Sequence, residues 1–68
     1  MNSILDGLDT SGKIKALMAT RKVTQLELAN VLGVTLPTIG NRFDANFWHV
    51  DDLKKIAETY NVEVTDLI

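Results

Sequence analysis

His49 is the single histidine of the chain, and no cysteine accompanies it, which removes most nucleophilic and metal-ligating chemistry at the outset. A metal site or acid–base catalysis at His49 needs partners that the sequence does not supply; capping a helix is the simpler use. Asp51 and Asp52 are the one conspicuous carboxylate pair. Neighbours on a helix point about 100° apart, so the two cannot close on a shared proton. Their better use is to complement the positive end of a helix dipole. There is no nucleophile–base pair, metal cluster or phosphate-cradling glycine loop, so no enzyme, cofactor, metal or small-molecule ligand is expected. The remaining chemistry is hydrogen bonding and charge. Asn41 carries an amide that can pair with adenine in a bidentate way, and Arg42 can reach a guanine or a phosphate.

The charge pattern bears on that chemistry. The net charge of −2 argues against a nucleic-acid partner, but distribution matters more than the sum. Asp6 and Asp9 make the first ten residues acidic. Residues 11–43 hold Lys13, Lys15, Arg21, Lys22 and Arg42 against Glu27 alone. Residues 44–68 hold Lys54 and Lys55 against Asp44, Asp51, Asp52, Glu58, Glu63 and Asp66. A nucleic-acid face would be small and confined to the first half.

Such side chains need a scaffold, and 68 residues make one small domain. A chain of this size buries only about 60% of its unfolded surface. Its core is worth no more than roughly 3–5 kcal/mol net. Without cysteine, neither disulfides nor a thiolate zinc site can reinforce it. A hydrophobic fraction of 46% with 24% charged residues is globular rather than disordered composition. No apolar run approaches the roughly 20 residues of a membrane span. The opening MNSILDGLDT has two aspartates and no basic region, so it does not read as a signal peptide. The cytoplasm is the expected compartment.

Helical spacing dominates the chain. Thr10 or Ser11 is suited to cap a first helix with Ile14, Leu17 and Met18 on its inner face, ending near Arg21 and Lys22. Thr24 to Glu27 fits a capping box, and Leu28, Ala29 and Leu32 form the next stripe. Gly33 stops that helix. Thr35 opens a third helix, with Pro37 in its first turn and Ile39 and Phe43 as inward anchors. Asp44-Ala45-Asn46 is its exit. Trp48 and Leu53 fit a hydrophobic staple around a cap at His49; an exposed tryptophan would instead suit a protein partner. Leu53, Ile56, Ala57 and Tyr60 line the fourth helix, and Asn61 suits a left-handed exit. The alternation from Val62 to Ile68 hints at a strand, but a lone strand has nothing to pair with. A final helical turn is expected there, making five short helices. Ile4, Leu5 and Leu8 are expected to pack on the core.

Two short helices joined at a tight glycine turn make a helix-turn-helix. Ala29 is small where the helices would cross, Gly33 permits the turn, Val34 plugs the core and Ile39 closes the angle. The segment TQLELANVLGVTLPTI resembles the helix-turn-helix of the phage repressor and Cro (XRE-like) family. The tail DDLKKIAETYNVEVTDLI is similar to that family's fourth and fifth helices. Two departures stand out. Arg42 and Phe43 occupy positions where the family usually has an apolar residue and then a glutamate. The loop after the third helix offers Asp44, Asn46 and His49 instead of the family's usual basic residues.

The resemblance implies an all-α, compact, five-helix lambda-repressor-like DNA-binding domain over residues 11–68, with residues 1–10 as an N-terminal segment. Its helices 2 and 3 would form the helix-turn-helix. With Ile39 and Phe43 inward, Pro37, Thr38, Asn41 and Ala45 face out. Leu36, Pro37, Thr38, Asn41 and Arg42 are then the expected base contacts, the two apolar residues pressing on thymine methyls. Gln25 and Thr35 resemble the family's phosphate clamps, joined by Lys22, Asn46 and His49. Helix N-termini favour phosphate in any case. Each has an ordinary alternative: Asn41 as an exposed amide, Thr35 as a cap, Arg42 paired with a nearby carboxylate. Val62, Val64, Leu67 and Ile68 are the expected self-association surface. The expected activity is sequence-specific transcriptional regulation by a homodimer on a two-fold double-stranded DNA operator, in a bacterial cytoplasm and without membrane contact. The competing expectation is an antirepressor- or antitoxin-like protein-interaction module that keeps the fold without binding an operator.

Overall fold

The structure is a computed structural model and describes residues 8–68. These residues are all-helical. Four α-helices, α1 (Thr10–Arg21), α2 (Gln25–Leu32), α3 (Leu36–Ala45) and α4 (Val50–Tyr60), are followed by a 3-10 turn at Val64–Asp66. None of the described helices is long and apolar enough to cross a membrane. Ile4 and Leu5 lie outside the described residues. Leu8 is half-buried beside Gly12, where an added Cβ would come within 3.1 Å of its side chain.

The helix starts follow from local hydrogen bonding, with corrections. Asp9, not Thr10 or Ser11, caps α1: its Oδ1 accepts from Gly12 N–H at 2.7 Å. A carboxylate suits the positive helix end, and Ser11 is drawn inward for another purpose. Its N–H donates to Asn46 Oδ1 at 2.9 Å, and its buried hydroxyl donates to the Phe43 carbonyl at 3.3 Å. Thr24 caps α2 as expected, accepting from Glu27 N–H, but the capping box is not completed: Glu27 Oε2 accepts from the Tyr60 hydroxyl instead. Thr35 begins α3 without a side-chain bond to the backbone; its hydroxyl instead pairs with that of Thr38 at 2.9 Å. His49 begins α4, its N–H donating to Asp52 Oδ2 at 3.1 Å.

Every α-helix exits through a left-handed residue: Lys22, Gly33, Asn46 and Asn61. Asparagine tolerates this region through its short polar side chain. Lysine has no such advantage, and Lys22 is held there by Val23, which turns into the core while its N–H bonds Met18 O at 2.9 Å.

One fully enclosed branched side chain comes from each α-helix: Ile14, Leu28, Ile39 and Ile56. Around them pack Val23, Ala29, Leu32, Phe43, Leu53 and Leu67. The tail does not form a strand. Its 3-10 turn carries Leu67 into the core, and Lys13 Nζ on α1 donates to the Ile68 carbonyl at 2.6 Å. Leu67, expected on a self-association surface, is only 2% exposed. It is a core residue, because the turn needs an apolar plug beneath it.

Candidate nucleic-acid interface

The α2–α3 corner is built by a few small or branched residues. Ala29 is buried where α2 meets its neighbours, and its carbonyl accepts from Val34 N–H at 3.0 Å. Gly33, with φ at 69°, makes the turn that this bond requires. Val34 packs against the core, and Ile39 and Phe43 anchor α3 beyond it. At roughly 100° per residue, Asn41 lies opposite the mean direction of those anchors. It is exposed, as are Pro37 and Ala45 on the same outer face. Leu36, at the leading end, is 45% exposed despite its size. Thr38 is half-buried and shares its hydroxyl with Thr35. Gln25 and Lys22 are exposed at the start of α2 and just before it. The corner therefore brings Gln25, Thr35, Leu36, Pro37, Thr38 and Asn41 onto two neighbouring helix starts and one outer face.

Arg42 is not available on that face. Its Nη1 lies 2.9 Å from Asp52 Oδ2, with the two side chains 14% and 9% exposed. Its Nε is buried without a hydrogen-bond partner. The expected base contact is thus an ion pair between the last turn of α3 and the first turn of α4. Asp52 is correspondingly more than a dipole complement: one oxygen takes both the guanidinium and His49 N–H. Spacing alone did not single out Asp52 from Asp44 or Asp51 as the partner of Arg42. The one legible signal was an acid at the third position of a helix that begins shortly after Arg42.

Asn46 is also committed. It is the left-handed exit of α3, and its Oδ1 takes the Ser11 N–H, so only its amide nitrogen is free for a phosphate. His49 is exposed, with its ring edge-to-face on Phe47 at 5.1 Å. Trp48 packs inward: its ring meets Phe43 edge-on at 4.9 Å, and its Nε1–H donates to Ser11 Oγ at 2.9 Å. Lys15 Nζ sits 5.2 Å from the Phe43 ring centroid, and Lys13 holds the tail. The start of α1, the end of α3 and Trp48 are in this way tied into one polar–aromatic joint that the sequence reading missed.

Two surfaces lie away from the corner. Phe47 and Val50 are exposed beside His49, with the exposed Asp44 and Asp51 nearby in the chain. A groove of about 440 Å³ runs between α1 and the tail, lined by Lys13, Ala16, Leu17, Thr20, Val62, Asp66 and Leu67. Of the expected self-association residues, Val62 and Val64 are half-buried and Ile68 is 62% exposed. Tyr60, half-buried on α4, donates to Glu27 Oε2 at 3.4 Å; burial, then the Glu27 charge, pushes its phenol above the usual value. Among the described residues no group of acidic or histidine side chains is arranged to hold a metal. Compared with protein-family models, curated proteins and solved structures, the chain matches none.

Proposed function

We propose that this chain is a sequence-specific DNA-binding transcriptional regulator of the phage repressor and Cro kind, acting in a bacterial cytoplasm. In this reading α2 and α3 are a helix-turn-helix within a five-helix domain, the 3-10 turn standing for the fifth helix. Helix α3 enters the major groove and the start of α2 clamps the backbone. The observation that carries the reading is the α2–α3 corner, with Gly33 at its turn, which directs an uncommitted polar side chain, Asn41, outward from the centre of α3. Exposed Gln25 and Lys22 at the neighbouring helix start supply phosphate contacts, as helix N-termini favour. Leu36 and Pro37 supply apolar contact to thymine methyls.

One module makes few contacts, so tight binding calls for two copies on a two-fold operator. Val62, which lines the α1–tail groove, together with Val64 and the exposed Ile68 of the same tail, is the surface proposed for that pairing, without Leu67. A second reading rests on a separate observation: Arg42 is neutralised by Asp52, while Phe47 and Val50 are exposed, with Asp44 and Asp51 close in the chain. That surface favours a protein-interaction module. Selection of randomised duplexes on immobilised protein separates the two. A palindrome with half-sites about 34–36 Å apart supports the regulator. Its loss in Gln25→Ala and Asn41→Ala, with folding intact, assigns the contacts. Recovery of nothing above background sinks the DNA reading and leaves the interaction module. A protein that remains monomeric on a saturating palindromic duplex refutes the dimer.

A further inference from the structure

We propose that α3 reads A·T base pairs and makes no guanine contact, because Asp52 withholds the one cation that this helix carries. The inference rests on the DNA-binding reading above and deepens it to the class of operator. In LPTIGNRFDA the sole basic residue is Arg42. Reading guanine in the major groove most often takes an arginine or lysine paired with O6 and N7. Arg42 cannot serve while its Nη1 is 2.9 Å from Asp52 Oδ2 and both side chains are largely enclosed. The same carboxylate oxygen is fixed by His49 N–H, so it does not follow the guanidinium outward. Swinging Arg42 into a groove would strand a buried carboxylate without its counter-ion, a strongly unfavourable state.

What the outer face still offers matches A·T pairs, apart from the Thr38 hydroxyl, which could serve either pair but is half-buried and shared with Thr35. The Asn41 amide pairs with adenine N6 and N7, and Leu36 and Pro37 are suited to thymine methyls. Asp44 is chemically able to accept from cytosine, but its charge has the same sign as the phosphates flanking any groove it would enter. The remaining cations lie outside α3: Lys13 is bound to the Ile68 carbonyl, Lys15 lies over the Phe43 ring, Arg21 and Lys22 end α1, and Lys54 and Lys55 are on α4.

The test is duplex selection with the wild-type protein and with Asp52→Asn, followed by binding titrations at several salt concentrations. The wild type should recover A·T pairs at the positions facing α3, and Arg42→Met should recover the same sequence. Asp52→Asn frees the guanidinium, so it should gain guanine at a position facing α3, or bind more tightly with a salt slope steeper by about one per protomer. A 7-deazaguanine scan on the wild-type site needs no variant and decides the matter even where a variant fails to fold. Loss of wild-type binding when a guanine facing α3 lacks its N7 overturns the inference while leaving the DNA reading intact. Asp52→Asn that folds and binds as the wild type, in sequence and in salt slope, overturns it as well. Failure to recover any duplex overturns the DNA reading itself, and this inference with it.

Discussion

Replacing Arg42 by methionine keeps the length of the stem and removes the guanidinium from Asp52. The side chains are 14% and 9% exposed and meet at 2.9 Å. Removing one partner of a fully buried pair costs about 3–5 kcal/mol, chiefly because the other charge is left without compensation. Partial exposure lets water reach the stranded group, so about 2–3 kcal/mol is the expected loss here. Asp52→Asn should cost a similar amount, leaving the guanidinium unpaired with its Nε already without a partner. The double variant strands neither charge. Its cost should fall well below the sum of the single losses, giving a coupling energy of about 2 kcal/mol. Against a total stability of roughly 3–5 kcal/mol for a core of this size, either single variant stands close to unfolding at room temperature. Urea titrations followed by the fluorescence of Trp48, the only tryptophan, measure all four proteins. Single costs under about 0.5 kcal/mol, in the range of an exposed pair, or strictly additive costs, would refute the view that this pair locks α3 to α4.

Asn41→Ala should weaken operator binding by about 1–3 kcal/mol, roughly 5- to 150-fold, with an unchanged unfolding midpoint, as read by fluorescence anisotropy beside a urea titration. A fall in stability instead would place Asn41 in the scaffold. Gly33→Ala meets no neighbouring atom but forces alanine to a φ of 69°, so it should cost about 1–2 kcal/mol, with Gly33→Asn less harmful. Calorimetric unfolding checks both, and an alanine variant as stable as the parent would show that the turn relaxes. Tyr60 is the only tyrosine, so its absorbance titration is unambiguous and should give a pKa above the ordinary 10.0 that falls in Glu27→Gln. Because the folded value is raised, its stabilising contribution is complete below pH 10.0 and is lost as pH climbs through the folded value. An unshifted titration would mean that Tyr60 is more open to solvent than its contacts suggest.

Local signals were enough to locate the elements. Capping at Thr24, the left-handed stop at Gly33, the anchors Ile39 and Phe43, and the exits at Asn46 and Asn61 are short-range features, and each was legible from residue type and spacing. The outward position of Asn41 follows from the same periodicity, since helical geometry alone places it opposite Ile39 and Phe43. The burial of Leu67 was less legible: an alternating tail shows that some residues turn inward, but a 3-10 turn shifts which ones do. The cap of α1 falls on Asp9 rather than on Thr10 or Ser11, and Ser11 instead bonds Asn46, Phe43 and Trp48 far along the chain.

By itself, then, the sequence determined that the described residues are helical, where most helices start and stop, and which face of the third one is polar. These depend on hydrogen bonds and side-chain spacing within a turn or two. Only the tertiary structure decided which polar groups are free. Arg42 and Asn41 are adjacent and both fit a nucleic-acid contact, yet Arg42 is captured by Asp52 across the α3–α4 junction and Asn41 is left exposed. That difference arises from how two helices pack against each other, and no spacing along the chain specifies that angle.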